Sequence, residues 1–160
     1  MQAPFVREYF RLCTEEGLHT ALDTSGIICT PQAFSVLDYT KLAMLDIKTF
    51  NAELHPRLTG VEGVNPLRFL DELERRNVPT WIRHVVVSGL TDNEDDVESL
   101  ARHIANYQVV QKVEVLPYHT MGAYKYQQLG IPYPLEGVEP LNKEKLQRVK
   151  EIFGAYKPVG

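Results

Sequence analysis

Four short stretches hold the residues most able to do chemistry: Asp23-Thr24, Asp46 with Lys48, Arg83, and Tyr118-His119. Asp23 and Asp46 suit an ammonium group or a cation, whereas Lys48 and Arg83 suit a carboxylate. A zwitterionic amino-acid moiety matches that combination. Each residue also has a plainer role. Asp23 opens Asp23-Thr24-Ser25-Gly26, a turn-forming composition. Asp46 and Lys48 fit a simple ion pair at a strand end, and a lone His119 fits a surface. Arg83 is harder to set aside, because it stands among apolar residues and charged groups are almost never fully buried unless paired. His55, His84 and His103 are assigned to structure or surface. For a metal there is no His–Cys cluster, which leaves only a hard cation on Asp, Thr and carbonyl oxygens.

These groups can act together only if the chain brings them to one rim. Pro4 opens a helix with Val6, Phe10 and Cys13 at helical spacing, and Gly17 stops it. A short strand from His19 to Leu22 precedes Asp23. Pro31 starts another short helix. Leu42 to Lys48 is almost continuously apolar, the signature of a parallel strand covered on both faces. Within it, the two-residue spacing of Asp46 and Lys48 puts both on one face with Met44. Asn65 to Arg76 is helical through Leu67, Leu70 and Leu73. Thr80 to Val87 is the clearest strand, with Arg83 and Val85 on one face and His84 on the other. Thr91-Asp92-Asn93-Glu94 reads as a capping box for a helix bearing Val97, Leu100, Ala101 and Ile104. Val113 to Leu116 is a fourth strand stopped by Pro117. A long Pro-, Gly- and Tyr-containing loop then leads to a helix with Leu146, Val149, Phe153 and Tyr156 on one face.

Alternating helices and strands predict an α/β fold, a parallel sheet of about four strands joined by right-handed helical crossovers. In such folds ligands bind at the carboxyl ends of the strands, where the polar residues above fall. Four strands are too few to close an eight-stranded barrel. Because the chain opens on a helix with no strand before it, the whole of 1–160 reads as one incomplete domain, the C-terminal part of something larger.

Composition narrows the partners. Seventeen Lys and Arg against 21 Asp and Glu give a net charge of −4, which argues against nucleic acid and anionic membranes. No apolar run approaches the ~20 residues of a membrane helix, and the N-terminus has no signal-peptide pattern. Two cysteines, Cys13 and Cys29, make no disulfide framework, so a reduced, cytoplasmic setting is expected. An iron–sulfur cluster held by this chain would want three or four closely spaced cysteines.

At these residues the sequence resembles the pyruvate formate-lyase activating enzymes of the radical S-adenosylmethionine superfamily. The matching stretches are HTALDTSG (19–26), MLDIK (44–48), WIRHVVVSG (81–89), LPYHTMG (116–122), KYQQLG (125–130) and YPLEGVEP (133–140). The likeness runs from about Pro4 to Tyr156. It implies a partial (β/α)6 TIM-like barrel, of which this chain supplies the last four strands. It implies that Asp23, Lys48, Arg83 and His119 contact S-adenosylmethionine, with Val85 beside the adenine. It further implies that Asp23, Thr24, Met44 and Asp46 surround a monovalent cation.

In that family a reduced [4Fe–4S] cluster cleaves S-adenosylmethionine to methionine and a 5′-deoxyadenosyl radical. The radical takes hydrogen from a glycine of the lyase, as part of anaerobic metabolism. The cluster's CxxxCxxC motif and a Gly-Gly-Glu segment are absent from these 160 residues. The resemblance implies that the cluster belongs to the full-length parent, with a glycyl radical enzyme of the pyruvate formate-lyase type as partner and a flavodoxin-type reductant. No catalytic residue is assigned to this chain, which is expected to be inactive alone. A non-catalytic binding or regulatory module that keeps the aminocarboxylate pocket is the alternative. An incomplete barrel also predicts an unpaired edge on the first strand, an exposed apolar barrel face, and self-association through them.

Overall fold

A computed structural model of the chain describes residues 2–61 and 64–160. Four strands, β1 (Ala21–Thr24), β2 (Leu42–Asp46), β3 (Thr80–Val86) and β4 (Val110–Pro117), form one sheet in the order β1-β2-β3-β4. Every neighbouring pair is parallel. Consecutive strands lying side by side is the winding of a barrel wall, unlike the reversal of strand order in a doubly wound sheet. The connecting helices are α1 (Ala3–Glu15), α2 (Pro31–Phe34), α3 (Leu54–Thr59), α4 (Val64–Arg75), α5 (Glu94–Ala105), α6 (Ala123–Gln128) and α7 (Lys143–Gly154).

Burial alternates along the strands because successive side chains leave opposite faces of a sheet. Ala43, Leu45, Ile47, Ile82, Val86, Val113 and Val115 are buried with Phe69, Leu70 and Leu73 of α4, Val97, Leu100 and Ile104 of α5, and Val149 and Phe153 of α7. The intervening residues Met44, Asp46, Arg83, Val85, Glu114 and Leu116 are only half-buried. The run Leu42–Lys48 therefore belongs to a strand covered on one face, not on both as its apolar character suggests. Leu42 and Met44 supply the apolar character on the open side that makes the run look doubly covered.

Several sequence expectations shift. The first strand runs two residues later than His19–Leu22, because pairing begins at Ala21 opposite Leu42. The fourth starts at Val110 and includes Pro117, after which Tyr118 N–H donates to Val86 O at 3.0 Å. Short helix α6 lies in the stretch expected to be a long loop, and α3 lies in a stretch to which the sequence assigns no element. The cap of α5 is Asn93, whose side chain accepts from Asp96 N–H at 3.0 Å. Thr91 instead donates to Val85 O and accepts from Val87 N–H, each at 2.8 Å. A buried Thr91 closing the strand end cannot also cap the helix.

The two edges of the sheet differ. The C-terminal residues lie along β4: Val113 N–H donates to Pro158 O at 2.8 Å, and Gly160 N–H to Val113 O at 3.0 Å. Among the described residues no strand pairs with the outer edge of β1. On the barrel face Leu42, Met44, Trp81, Val85 and Leu116 are half-buried among Asp46, Lys48, Arg83 and Glu114, so the strongly exposed apolar patch expected there is not observed. Large exposed apolar side chains sit instead on α1 (Phe5, Tyr9, Leu12) and around α6 (Met121, Tyr124, Leu129, Ile131). On α1 these form a second stripe, spaced i, i+4, i+7, beside the half-buried Val6, Phe10 and Cys13.

Candidate functional site

The open face is built by strand parity. Asp23, Met44, Asp46, Lys48, Arg83, Val85 and Glu114 all project from it, while Thr24 does not. The Thr24 hydroxyl lies on the helix side and accepts from Gly26 N–H at 3.0 Å. Gly26 has φ +65°, and a Cβ there would stand 2.8 Å from the Leu45 side chain and 3.0 Å from Phe69. Only glycine fits that turn. The turn follows the end of β1 at Thr24, one residue beyond Asp23.

Arg83 reaches across β2 to Asp23, its Nη1 donating to Asp23 Oδ2 at 2.7 Å. Its Nε is buried and has no hydrogen-bond partner; the nearest carboxylate oxygen, Glu114 Oε2, is 3.7 Å away. Lys48 Nζ lies 3.4 Å from Asp46 Oδ2. Lys48, Val85, Tyr118 and His119 line one pocket of about 570 Å3, together with Arg57 and Leu58 of α3. A neighbouring pocket of about 370 Å3 is lined by Asp46, Lys48, Ser25 and His55. Lys48 and Thr59 line both.

Of the residues expected to hold S-adenosylmethionine, Lys48, Val85 and His119 thus share a pocket. Asp23 and Arg83 pair on the adjoining sheet face and line neither cavity. Of those expected round a cation, Asp23, Met44 and Asp46 share the face. Thr24 can contribute only its main chain there. Among the described residues no group of three or more His, Cys, Asp or Glu is arranged to hold a metal ion.

His84 anchors the rim from behind. It is 2% exposed, packs against Phe153, and Nδ1 lies 2.9 Å from Ile47 O, between Asp46 and Lys48. Burial pushes its pKa below the ordinary histidine value, although the carbonyls of Ile47 and Thr91 oppose the shift. His55 is buried too, with Nδ1 2.8 Å from Val61 O.

Several lining residues escape sequence reasoning. Arg57 lies on an unanticipated helix. Tyr133 meets Tyr118 hydroxyl to hydroxyl at 2.5 Å and Tyr126 edge-to-face at 5.0 Å, so these rings close one side of the larger pocket. The signal available for Glu114 is the alternation Val113-Glu114-Val115, which puts a charge on Arg83's side of the sheet.

The donor set fits an aminocarboxylate ligand: two cations, two carboxylates and an orphaned guanidinium N–H beside a partly aromatic pocket. It does not fit an iron–sulfur cluster. Cys29 lies 3.2 Å from Asn65 O and 3.4 Å from Gly26 O, and burial pushes its thiol pKa up, away from the thiolate a cluster needs. Cys13 stands on α1.

No family model matches the chain. Individual proteins do. It is 42% identical over 158 residues to the pyruvate formate-lyase 1-activating enzyme of Escherichia coli (strain K12), matching 98% of this chain and 64% of that protein. It is 39% identical over 159 residues to the pyruvate formate-lyase-activating enzyme of Streptococcus mutans, matching 96% of this chain and 60% of that one. The chain resembles the pyruvate formate-lyase activating enzymes. It spans just under two thirds of the length of these relatives. In fold it matches a domain of a pyruvate-formate lyase-activating enzyme from Bacteroides vulgatus, with a TM-score of 0.80 and 18% identity over 99% of this chain and 91% of that one. Streptococcus suis SuiB bound to S-adenosylmethionine matches with a TM-score of 0.72 and 13% identity, over 96% of this chain and 35% of that one. These structural likenesses establish a parallel α/β, TIM-like barrel fold.

Proposed function

We propose that this chain forms the S-adenosylmethionine-binding strand ends of an activating enzyme that installs a glycyl radical on a pyruvate formate-lyase-type partner. The observation that carries the reading is the 42% identity to the E. coli activating enzyme across 98% of the chain. The clustering of Lys48, Val85 and His119 around one pocket supports it. With a reduced [4Fe–4S] cluster, S-adenosylmethionine supplies hydrogen-atom abstraction. This chain's residues bind and orient. Arg83 and Lys48 take the ligand carboxylate, Asp23 takes the ammonium, and Val85 packs beside the adenine with His119 at the pocket mouth. Binding a zwitterion requires Asp23 and Arg83 to exchange their mutual pairing for the ligand's two charges, which leaves each of them with an opposite charge beside it. Asp46, Met44, Asp23 and the main chain of Thr24 surround a monovalent cation.

The cluster, and with it catalysis, comes from residues outside these 160, because Cys13 and Cys29 cannot hold it. The chain functions as one incomplete barrel domain in the cytoplasm, where a flavodoxin-type protein reduces the cluster. Alone it is inactive and self-associates through the free edge of β1.

Calorimetric titration with S-adenosylmethionine tests the reading, with Asp23→Ala and Lys48→Ala as controls. Binding that disappears in both variants supports it. Binding unaffected by either variant removes these residues from the site. Bound S-adenosylmethionine without restored activity, once a cluster-bearing N-terminal segment is supplied, favours the non-catalytic module.

A further inference from the structure

Three residues of the open face are not used by the site described above: Glu114, Lys112 and Trp81. Glu114 stands opposite Arg83 in the β3–β4 register, and Lys112 stands opposite Trp81. Lys112 Nζ lies 2.9 Å from Glu114 Oε1, an ion pair, and the same ammonium sits 3.6 Å from the Trp81 ring centre. The other oxygen, Oε2, is 3.7 Å from Arg83 Nε, too far for a hydrogen bond. That Nε is buried and unpartnered. One carboxylate is therefore shared by two cations, and the lysine holds the closer position.

We propose that Glu114, held by Lys112 on the Trp81 ring, is a positioning residue that orients the Arg83 guanidinium toward the aminocarboxylate ligand; the ligand's identity rests on the function proposed above. A guanidinium on a long side chain loses much rotamer freedom when it binds, and a carboxylate beside its Nε edge restricts it beforehand. If Glu114 closed fully on Arg83, the fork-shaped pair would neutralise the guanidinium and draw it from the ligand. Lys112 prevents that closure by occupying Oε1, and its cation–π contact with Trp81 fixes where the ammonium can be.

The arrangement makes Glu114→Gln and Lys112→Met act in opposite senses on Arg83. The first releases the Nε edge, and the second lets Glu114 form the missing hydrogen bond. Nitrogen-15 NMR of the Arg83 Nε–H in the ligand-free chain, assigned with Arg83→Lys, reads both. Lys112→Met should slow solvent exchange of that proton severalfold and shift its resonance, while Glu114→Gln should speed exchange. Trp81 is the only tryptophan, so its emission verifies that both variants fold and that Lys112→Met has bared the ring. Identical Nε–H resonances and exchange in all three proteins overturn the proposal. In titrations with S-adenosylmethionine, Glu114→Gln should weaken binding about fivefold, the upper range for one partly exposed ion pair; unchanged affinity overturns the positioning role. A wild-type chain that binds no S-adenosylmethionine overturns the functional reading instead, and the spectra still decide whether Glu114 orients Arg83.

Discussion

The two faces of the same four strands follow different rules. On the helix side, Ala43, Leu45, Ile82 and Val113 have no measurable exposure and share one apolar core. One residue away on each strand, Met44, Asp46, Arg83 and Glu114 carry the open face. There, ion pairs cross strands from Asp23 through Arg83 and Glu114 to Lys112. Period-two alternation thus lets one strand serve the core and the site at once. Stability should depend on the first face and ligand recognition on the second.

The strongest challenge to that division is Ile82→Ala. Ile82 is fully buried among α4, α5 and α7 side chains, and truncating such a residue costs about 2–5 kcal/mol in lost transfer energy and cavity formation. Urea denaturation should show a loss in that range. A loss below about 1 kcal/mol would mean that the helix side is not the stabilising face. Gly26→Ala comes next. It combines a left-handed backbone position with a Cβ 2.8 Å from Leu45, so it should destabilise by about 1–3 kcal/mol. Because this turn directs Asp23, the same substitution should also weaken ligand binding, and binding unaltered at reduced stability would uncouple the turn from the site.

His84 joins the two faces, since it is buried on the helix side yet holds the carbonyl between Asp46 and Lys48. Its pKa is lowered in the folded chain, so between that value and the ordinary value near 6.5 the unfolded chain binds more protons. Stability should therefore be complete above about pH 6.5 and fall as the pH drops through that window. Denaturation at pH 7.5 and 5.5 measures the fall, and His84→Asn should flatten it. An equal pH dependence in the variant would assign the acid sensitivity to other groups. Smaller still is Asn93→Ala, which removes the side-chain acceptor for Asp96 N–H at the start of α5 and should cost about 1 kcal/mol. Thr91→Ser, which keeps the hydroxyl closing the β3 turn, should cost less.

Much of this division is legible in the sequence, because it depends on local periodicity. The spacing of Asp46 and Lys48, and the opposite parities of Arg83 and His84, are properties of any extended strand. What local pattern cannot reveal is long-range pairing. Asp23 and Arg83 meet across sixty positions and an intervening strand, and nothing in either neighbourhood announces the partner. The one-sided covering of Leu42–Lys48 is not legible in its sequence, because Leu42 and Met44 on a charged face look like core. Asn93 competes with Thr91 as a cap, and only burial of the threonine decides between them. The α1 helix carries apolar residues on two stripes, and composition alone cannot tell which one this chain covers. The family motifs nevertheless pointed to the open face, since LDTSG, MLDIK and WIRHV each contain a residue projecting from it.

The smallest effect on stability gives the sharpest contrast. Arg83 is adjacent to Ile82 and bridges two carboxylates, yet Arg83→Met should alter folding stability by less than about 1 kcal/mol. Removing the guanidinium leaves Asp23, whose side chain is 56% exposed and stays hydrated, and Glu114, which retains Lys112. Neither carboxylate becomes a buried, unpaired charge, so the large penalty for breaking a buried pair does not arise. The methionine also replaces the guanidinium's half-buried stem with apolar surface of similar length. Binding of S-adenosylmethionine, by contrast, should be lost, because the ligand carboxylate loses its guanidinium. If Arg83→Met instead destabilised the fold as much as Ile82→Ala, the charges of the open face would be part of the core's support, and the separation of the two faces would fail.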